Sequence, residues 1–94
     1  MVRWSPQAAD DVQGIRDFIA LDSPHYARLV VQEILAAVDQ LAQFPGIGRI
    51  VPELGDPDVR ERVAGAFRIV YRHRGDAVEI VTVFRASRLF PIKE

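Results

Sequence analysis

No cysteine occurs anywhere in the 94 residues, which removes disulfides, thiol nucleophiles and thiolate metal centres together. Histidine is nearly as scarce: His25 and His73 stand far apart, so a histidine-built metal site is not expected. No stretch reaches the roughly 18 apolar residues that a membrane helix needs. Asp10 and Asp11 break the N-terminus before the apolar core of a signal peptide can develop. No internal repeat and no Ser/Gly-rich or single-charge tract appears, and a 49% hydrophobic, 27% charged composition is that of a chain that folds. The expectation is one domain over residues 1–94, because so short a chain builds one core, in a cytoplasmic protein without membrane contact or cofactor.

What charge there is lies unevenly. The net charge is -1, yet residues 1–50 hold four Arg and six acids, whereas residues 59–94 hold seven Arg and Lys93 against four acids. The basic end is also the end that reads as sheet. Val2 to Trp4 is a short β-type run, and Trp4 reads as core. Ser5-Pro6 then gives a capping hydroxyl and a proline at the first helical position. Ala8, Val12, Ile15 and Ile19 recur at helical spacing to about Leu21. Asp22-Ser23-Pro24 repeats the device, and a second helix carries Ala27, Val30, Val31, Ile34, Val38 and Leu41 as a wide apolar stripe, extended by Leu35 and Ala42. Phe44-Pro45-Gly46 ends it, and PGIGRIVPELGDPD reads as a loop with one short turn of helix.

Val59 to Val63, Phe67 to His73 and Ala77 to Arg85 read as strands of a meander, the last two joined through Arg74-Gly75-Asp76. Alternation puts Phe67, Ile69, Tyr71 and His73 on one face and Arg68, Val70, Arg72 and Arg74 on the other. The fold class is therefore α+β: a short N-terminal strand and an antiparallel helical hairpin packed on a small antiparallel β-sheet. The arginines admit two readings. They are a docking surface for an acidic or apolar partner segment, since guanidinium binds carboxylate bidentately, or solubilising charge on an open sheet face. Arg68 has a third, a cross-hairpin pair with Glu79 or Asp76, worth about 0 to 1 kcal/mol if exposed.

Four pieces in order, WSPQAADDVQGIRDFIALDSPHYA, LAQFPGIGRIVPEL, RERVAGAFRIVYR and VTVFRASR, resemble the RelE/ParE toxin superfamily, and its ParE branch most closely, over nearly the whole chain. The resemblance implies a cytoplasmic toxin of a type II toxin–antitoxin pair. A ParD-like antitoxin would neutralise it in a heterotetramer or larger complex, with operator DNA reached only through that antitoxin. ParE toxins poison DNA gyrase, whereas RelE-like members cut messenger RNA on the ribosome; a non-toxic binding module or antitoxin co-repressor is a further alternative.

RNA cleavage through the 2′-hydroxyl needs a base, an acid and cations around the phosphate. Arg68 and Arg88 match the family's paired arginines, and Arg60 and Arg62 loosely match its basic strand positions. The tail LFPIKE offers neither tyrosine nor histidine, and a guanidinium does not shuttle protons near neutral pH. An RNase reading would rest on Arg68, Arg88 and His73, with His73 on the face opposite Arg68 unless a bulge shifts the register. The expectation is a non-enzymatic inhibitor. Its target-binding residues would be Arg68, Arg85, Arg88, Leu89, Phe90, Pro91 and Ile92, and its antitoxin-binding residues Val31, Leu35, Phe44 and Arg72. Arg49, following the glycine turn, is expected to be structural.

Overall fold

The structure, a computed structural model, describes residues 1–88, Phe90 and Pro91. The chain runs β1 (Val2–Trp4), α1 (Pro6–Ala20), α2 (Pro24–Gln43), β2 (Arg49–Ile50), β3 (Val59–Ala64), β4 (Phe67–Arg74) and β5 (Ala77–Arg85). Both helices start where the Ser-Pro pairs place them. The Ser5 hydroxyl accepts from the Ala8 N–H at 3.0 Å and the Ser23 hydroxyl from the Tyr26 N–H at 3.1 Å, each satisfying one of the unpaired amides of a first turn.

The five strands form one sheet in the order β1-β5-β4-β3-β2. Three of its four pairings are antiparallel, but β1 lies parallel to β5, so the sheet is mixed rather than wholly antiparallel. A three-residue strand carries no pattern that reveals its direction. Its direction follows from what it leads into: Ser5 donates its N–H to Ile80 O and its hydroxyl to Val81 O, tying the start of α1 to β5. The second departure is β2, which reads as loop in sequence but pairs with β3 at Arg49↔Glu61 and Ile50↔Arg60.

Alternation along β4 holds, with Phe67, Ile69 and Tyr71 packed against the helices. On β5 the register skips from Val70↔Thr82 to Tyr71↔Ile80, so Val81 is an extra residue and the inward set changes from Val78 and Ile80 to Val83. The bulge lies on β5 and leaves His73 on the face opposite Arg68. Between sheet and helices, Ile34, Leu41, Ile69, Tyr71 and Ile80 are fully buried; each such aliphatic side chain stabilises the fold by about 1.5–3 kcal/mol. Phe44 and Leu35 remain exposed.

The other face of the sheet is not open. Val51, Val59, Val70 and Phe84 form a second apolar cluster, with Leu54, Val81 and Phe90 packed against it. The proline- and glycine-rich segment after β2 supplies part of that cover, which puts an apolar lid over the face on which the alternation places Arg68. Among the described residues no helix is long and apolar enough to cross a membrane.

Candidate functional site

Beneath that lid Arg68 is 8% exposed and Glu61 1%. Arg68 lies diagonal to Glu61 across the β3–β4 ladder, in which Glu61 faces Val70 and Arg68 faces Val63. Its Nε donates to Glu61 Oε1 at 2.6 Å, and Nη1 and Nη2 donate to the two oxygens of Glu53 at 2.9 Å each. The second Glu61 oxygen accepts from Arg49 Nε at 2.5 Å. The guanidinium carbon sits 5.1 Å from the centre of the Phe84 ring and 5.4 Å from that of Phe90, two rings that meet edge to face. Hydrogen bonding to Glu53 holds the Arg68 guanidinium above its ordinary pKa. The same bonds pull the Glu53 carboxyl down from 4.5 to about 2.

Arg68 is thus internal, and its partners are Glu61 and Glu53. Glu79 stands opposite Arg72 instead, and Asp76 lies in the β4–β5 turn. These partners of Arg68 are not legible in sequence, because the carboxylate of Glu53 arrives from a segment with no periodic pattern. Arg49 is structural through its bond to Glu61.

The same motif fixes the end of α2. The buried Tyr71 hydroxyl accepts from the Gly48 N–H at 2.9 Å and donates to Pro45 O at 2.7 Å. A Cβ on Gly48 would lie 2.5 Å from both Glu61 O and the Tyr71 hydroxyl, so only glycine fits this approach. Burial raises the Tyr71 pKa, which keeps the hydroxyl protonated and able to donate. Arg60 spends a guanidinium bond on Gly48 O and Arg62 one on the Gln40 side chain.

Arg3, Arg28, Arg72, Arg85 and Arg88 make no ion pair among the described residues, and of these Arg85 and Arg88 line an open groove of about 920 Å³ between α1 and the second half of β5. Ile15, Phe18 and Phe67 line it, with Arg85, Arg88 and Pro91 toward one end and Gln7 and Asp10 among the remaining lining residues. Phe18 is 68% exposed despite its size. The Arg85 guanidinium carbon lies 5.2 Å from the centre of the Phe67 ring, and neither Arg85 nor Arg88 makes an ion pair among the described residues. Asp11 fixes the wall, accepting from the Thr82 hydroxyl at 2.5 Å and the Val83 N–H at 3.0 Å.

Of the expected target-binding residues, the structure brings Arg85, Arg88 and Pro91 to this groove, while Phe90 packs on Arg68 across the sheet. Leu89 and Ile92 lie outside the described residues. Val31 lines a cleft between α1 and α2, and Leu35 and Phe44 are exposed but do not line it. Arg72 is not with them: alternation along β4 puts it on the face away from the helices. Among the described residues the His73 ring bonds Gly75 O, in its own turn, while its backbone N–H donates to Asp58 O, and neither contact brings it to Arg68 or Arg88. Sequence reasoning missed Asp11, Ile15 and Phe18 as groove residues. Their spacing of four and three places them on one helical face, and an acid and an exposed phenylalanine on that face are the available signal. Among the described residues no group of three or more His, Cys, Asp or Glu side chains is placed to hold a metal ion.

A helical hairpin on a five-stranded mixed sheet, with a groove beside β5 lined in part by two arginines, defines a small α+β protein. Residues 2–90 match the family described as the ParE toxin of type II toxin-antitoxin system, parDE, and the chain belongs to that family. It is 33% identical over 89 residues to Toxin RelE2 of Caulobacter vibrioides, covering 94% of this chain and 97% of that protein. Its fold is similar to a chain of the chromosomal ParDE TA system from P. aeruginosa, with a TM-score of 0.73 and 28% identity over 89% of this chain and 92% of the other.

Proposed function

We propose that this toxin acts by binding rather than by catalysis, that its target is DNA gyrase, and that a ParD-like antitoxin neutralises it in a cytoplasmic heterotetramer or larger complex. The observation that carries the reading is the division of labour among the arginines. Arg68, which matches one of the family's paired arginines, is consumed by Glu61 and Glu53, whereas Arg85 and Arg88 line a groove of mixed polarity without an acid partner among the described residues. Two free guanidinium groups beside Ile15 and Phe18 suit a partner surface with carboxylates and an apolar anchor. Among the described residues no histidine or tyrosine lines the groove, so general acid–base chemistry on an RNA phosphate finds no imidazole or phenol among them. On this reading Val31, Leu35 and Phe44, the last two exposed, are the helix-side residues that would meet the antitoxin.

The test is inhibition of gyrase supercoiling by the purified toxin, with antitoxin added back. Inhibition relieved by antitoxin and lost in the Arg85→Ala/Arg88→Ala variant supports the reading. Toxicity with gyrase untouched transfers the assignment to ribosome-dependent messenger RNA cleavage, the reading that similarity to a protein named RelE2 favours.

A further inference from the structure

The outer edge of β5 is only half covered. β1 pairs with it at Val78–Ile80, where Val78 donates to Met1 O at 3.0 Å and Ser5 donates to Ile80 O at 2.9 Å. The Ser5 hydroxyl takes Val81 O, and the chain then departs into α1. Past the bulge the backbone of β5 continues without a neighbouring strand on that side among the described residues. Which groups face outward there follows from two bonds. Ala86 N donates to Ala66 O across β4, while Val83 N donates to Asp11 Oδ2. Antiparallel residues alternate between facing the partner and facing away, so Phe84 faces β4 and Val83 and Arg85 face the groove.

Four backbone groups therefore point outward from Val83 and Arg85, and two are used: Val83 N–H by Asp11, and Arg85 C=O by the Arg88 N–H at 2.9 Å. The Val83 C=O and the Arg85 N–H have no hydrogen bond among the described residues. They flank Phe84, and in a parallel ladder one residue of the incoming strand donates to the carbonyl before its opposite number and accepts from the amide after it. An antiparallel strand would instead require the Val83 N–H, which Asp11 holds. The free pair has the geometry of one parallel bridge, in the same sense as β1.

We propose that this edge accepts an extended segment of the cognate antitoxin, running parallel to β5 and pairing one residue with Phe84, with an acidic side chain close in sequence set against Arg85 and Arg88. Asp10 and Asp11 also line the groove, but Asp11 is bonded to Thr82 and Val83, whereas Arg85 and Arg88 have no acid partner among the described residues, so they are the groups that an incoming carboxylate would meet. The residues flanking the bridge would face the α1 side, toward Ile15 and Phe18, and are expected to be apolar. The inference rests on the reading that Arg85 and Arg88 meet the target, because the antitoxin would then neutralise by occupying the same groove.

The test is residue-resolved amide exchange on the full chain, free and in its purified complex with the antitoxin encoded beside it. In the free protein the Arg85 amide exchanges quickly and the Val83 amide, bonded to Asp11, slowly. The complex is expected to slow Arg85 at least tenfold and leave Val83 slow, and Arg85→Glu/Arg88→Glu is expected to weaken the complex at least tenfold. An Arg85 amide equally fast in free and bound toxin overturns the proposal, as does protection by gyrase with none by antitoxin. Supercoiling inhibition is scored separately, so a failed gyrase assay with Arg85 protected by antitoxin refutes the target and leaves the edge pairing standing.

Discussion

Replacing Arg68 by methionine keeps much of the volume between Phe84 and Phe90 but removes the charge that Glu61 faces. Glu61 is 1% exposed and retains one partner, Arg49, whose side chain is largely in solvent. Breaking a buried pair by deleting one member costs about 3–5 kcal/mol because the other charge is left uncompensated. The surviving Arg49 bond puts Arg68→Met near the lower end, about 3 kcal/mol. Glu61→Leu should cost less, since Arg68 keeps both oxygens of Glu53. The double variant has no buried charge to compensate, and apolar replacement of a whole buried pair is often neutral or better. It should therefore lie within about 1 kcal/mol of Glu61→Leu alone. Urea unfolding of the purified proteins at constant m-value measures all four corners of the cycle. Strictly additive single effects, or an Arg68→Met cost under about 1 kcal/mol, the range of exposed ion pairs, would refute the claim that Arg68 is bound to the interior.

Tyr71→Phe strips the Gly48 amide and the Pro45 carbonyl of their shared partner and should cost about 1–3 kcal/mol. Gly48→Ala should be at least as damaging, and Tyr71→Phe should not rescue it, because Glu61 O is also 2.5 Å from the new Cβ. The two are read by thermal unfolding. Glu53, with its folded pKa depressed from 4.5 to about 2, contributes stability that is fully present above 4.5 and disappears as pH falls through 2. The gap in melting temperature between the wild type and Glu53→Gln should therefore close over that window and stay constant from pH 5 to 7. Arg85→Ala/Arg88→Ala should change stability by no more than about 1 kcal/mol, since both positions are exposed and Arg85 loses only its contact over the Phe67 ring, worth about 0.5–1 kcal/mol at such sites. It should nonetheless raise the toxin concentration for half-maximal gyrase inhibition at least tenfold.

Much of this fold is legible in sequence because its signals are local. Ser5-Pro6 and Ser23-Pro24 start helices by satisfying nearby amides, and the period-two pattern of Phe67, Ile69 and Tyr71 identifies a face whichever strands lie beside it. The parallel setting of β1 and the pairing of β2 are not legible. Strands of three and two residues have no period to read, and each is placed by a contact distant in sequence, Ser5 with β5 or Gly48 with Tyr71. The site divides along the same line. Arg85 and Arg88 lie on the last strand and just beyond it, and the structure brings them into one groove. Asp11, Ile15 and Phe18 join that groove only because α1 lies across β5.

Arg68 shows why a motif and a site are different things. In the string GAFR it looks like one more cation on a basic strand, and its partner Glu61 lies seven residues earlier in RERVAG, on the other side of the turn between the strands. What converts that pair from a surface contact of little value into an internal one is the lid: Val51, Leu54 and Phe90 exclude water from the face, and Glu53, carried on the same segment, supplies the second carboxylate. Pro45, Gly48, Arg49, Glu61, Arg68 and Tyr71, which stand in two of the pieces resembling the toxin superfamily, are all engaged in holding β2 and this lid to the sheet. Those pieces therefore specify an architecture that gyrase inhibitors and RNA-cleaving relatives can share. On the proposed reading, the choice between the activities falls to groups outside that framework, which among the described residues are the guanidinium groups of Arg85 and Arg88 and the edge of β5 between them and Asp11.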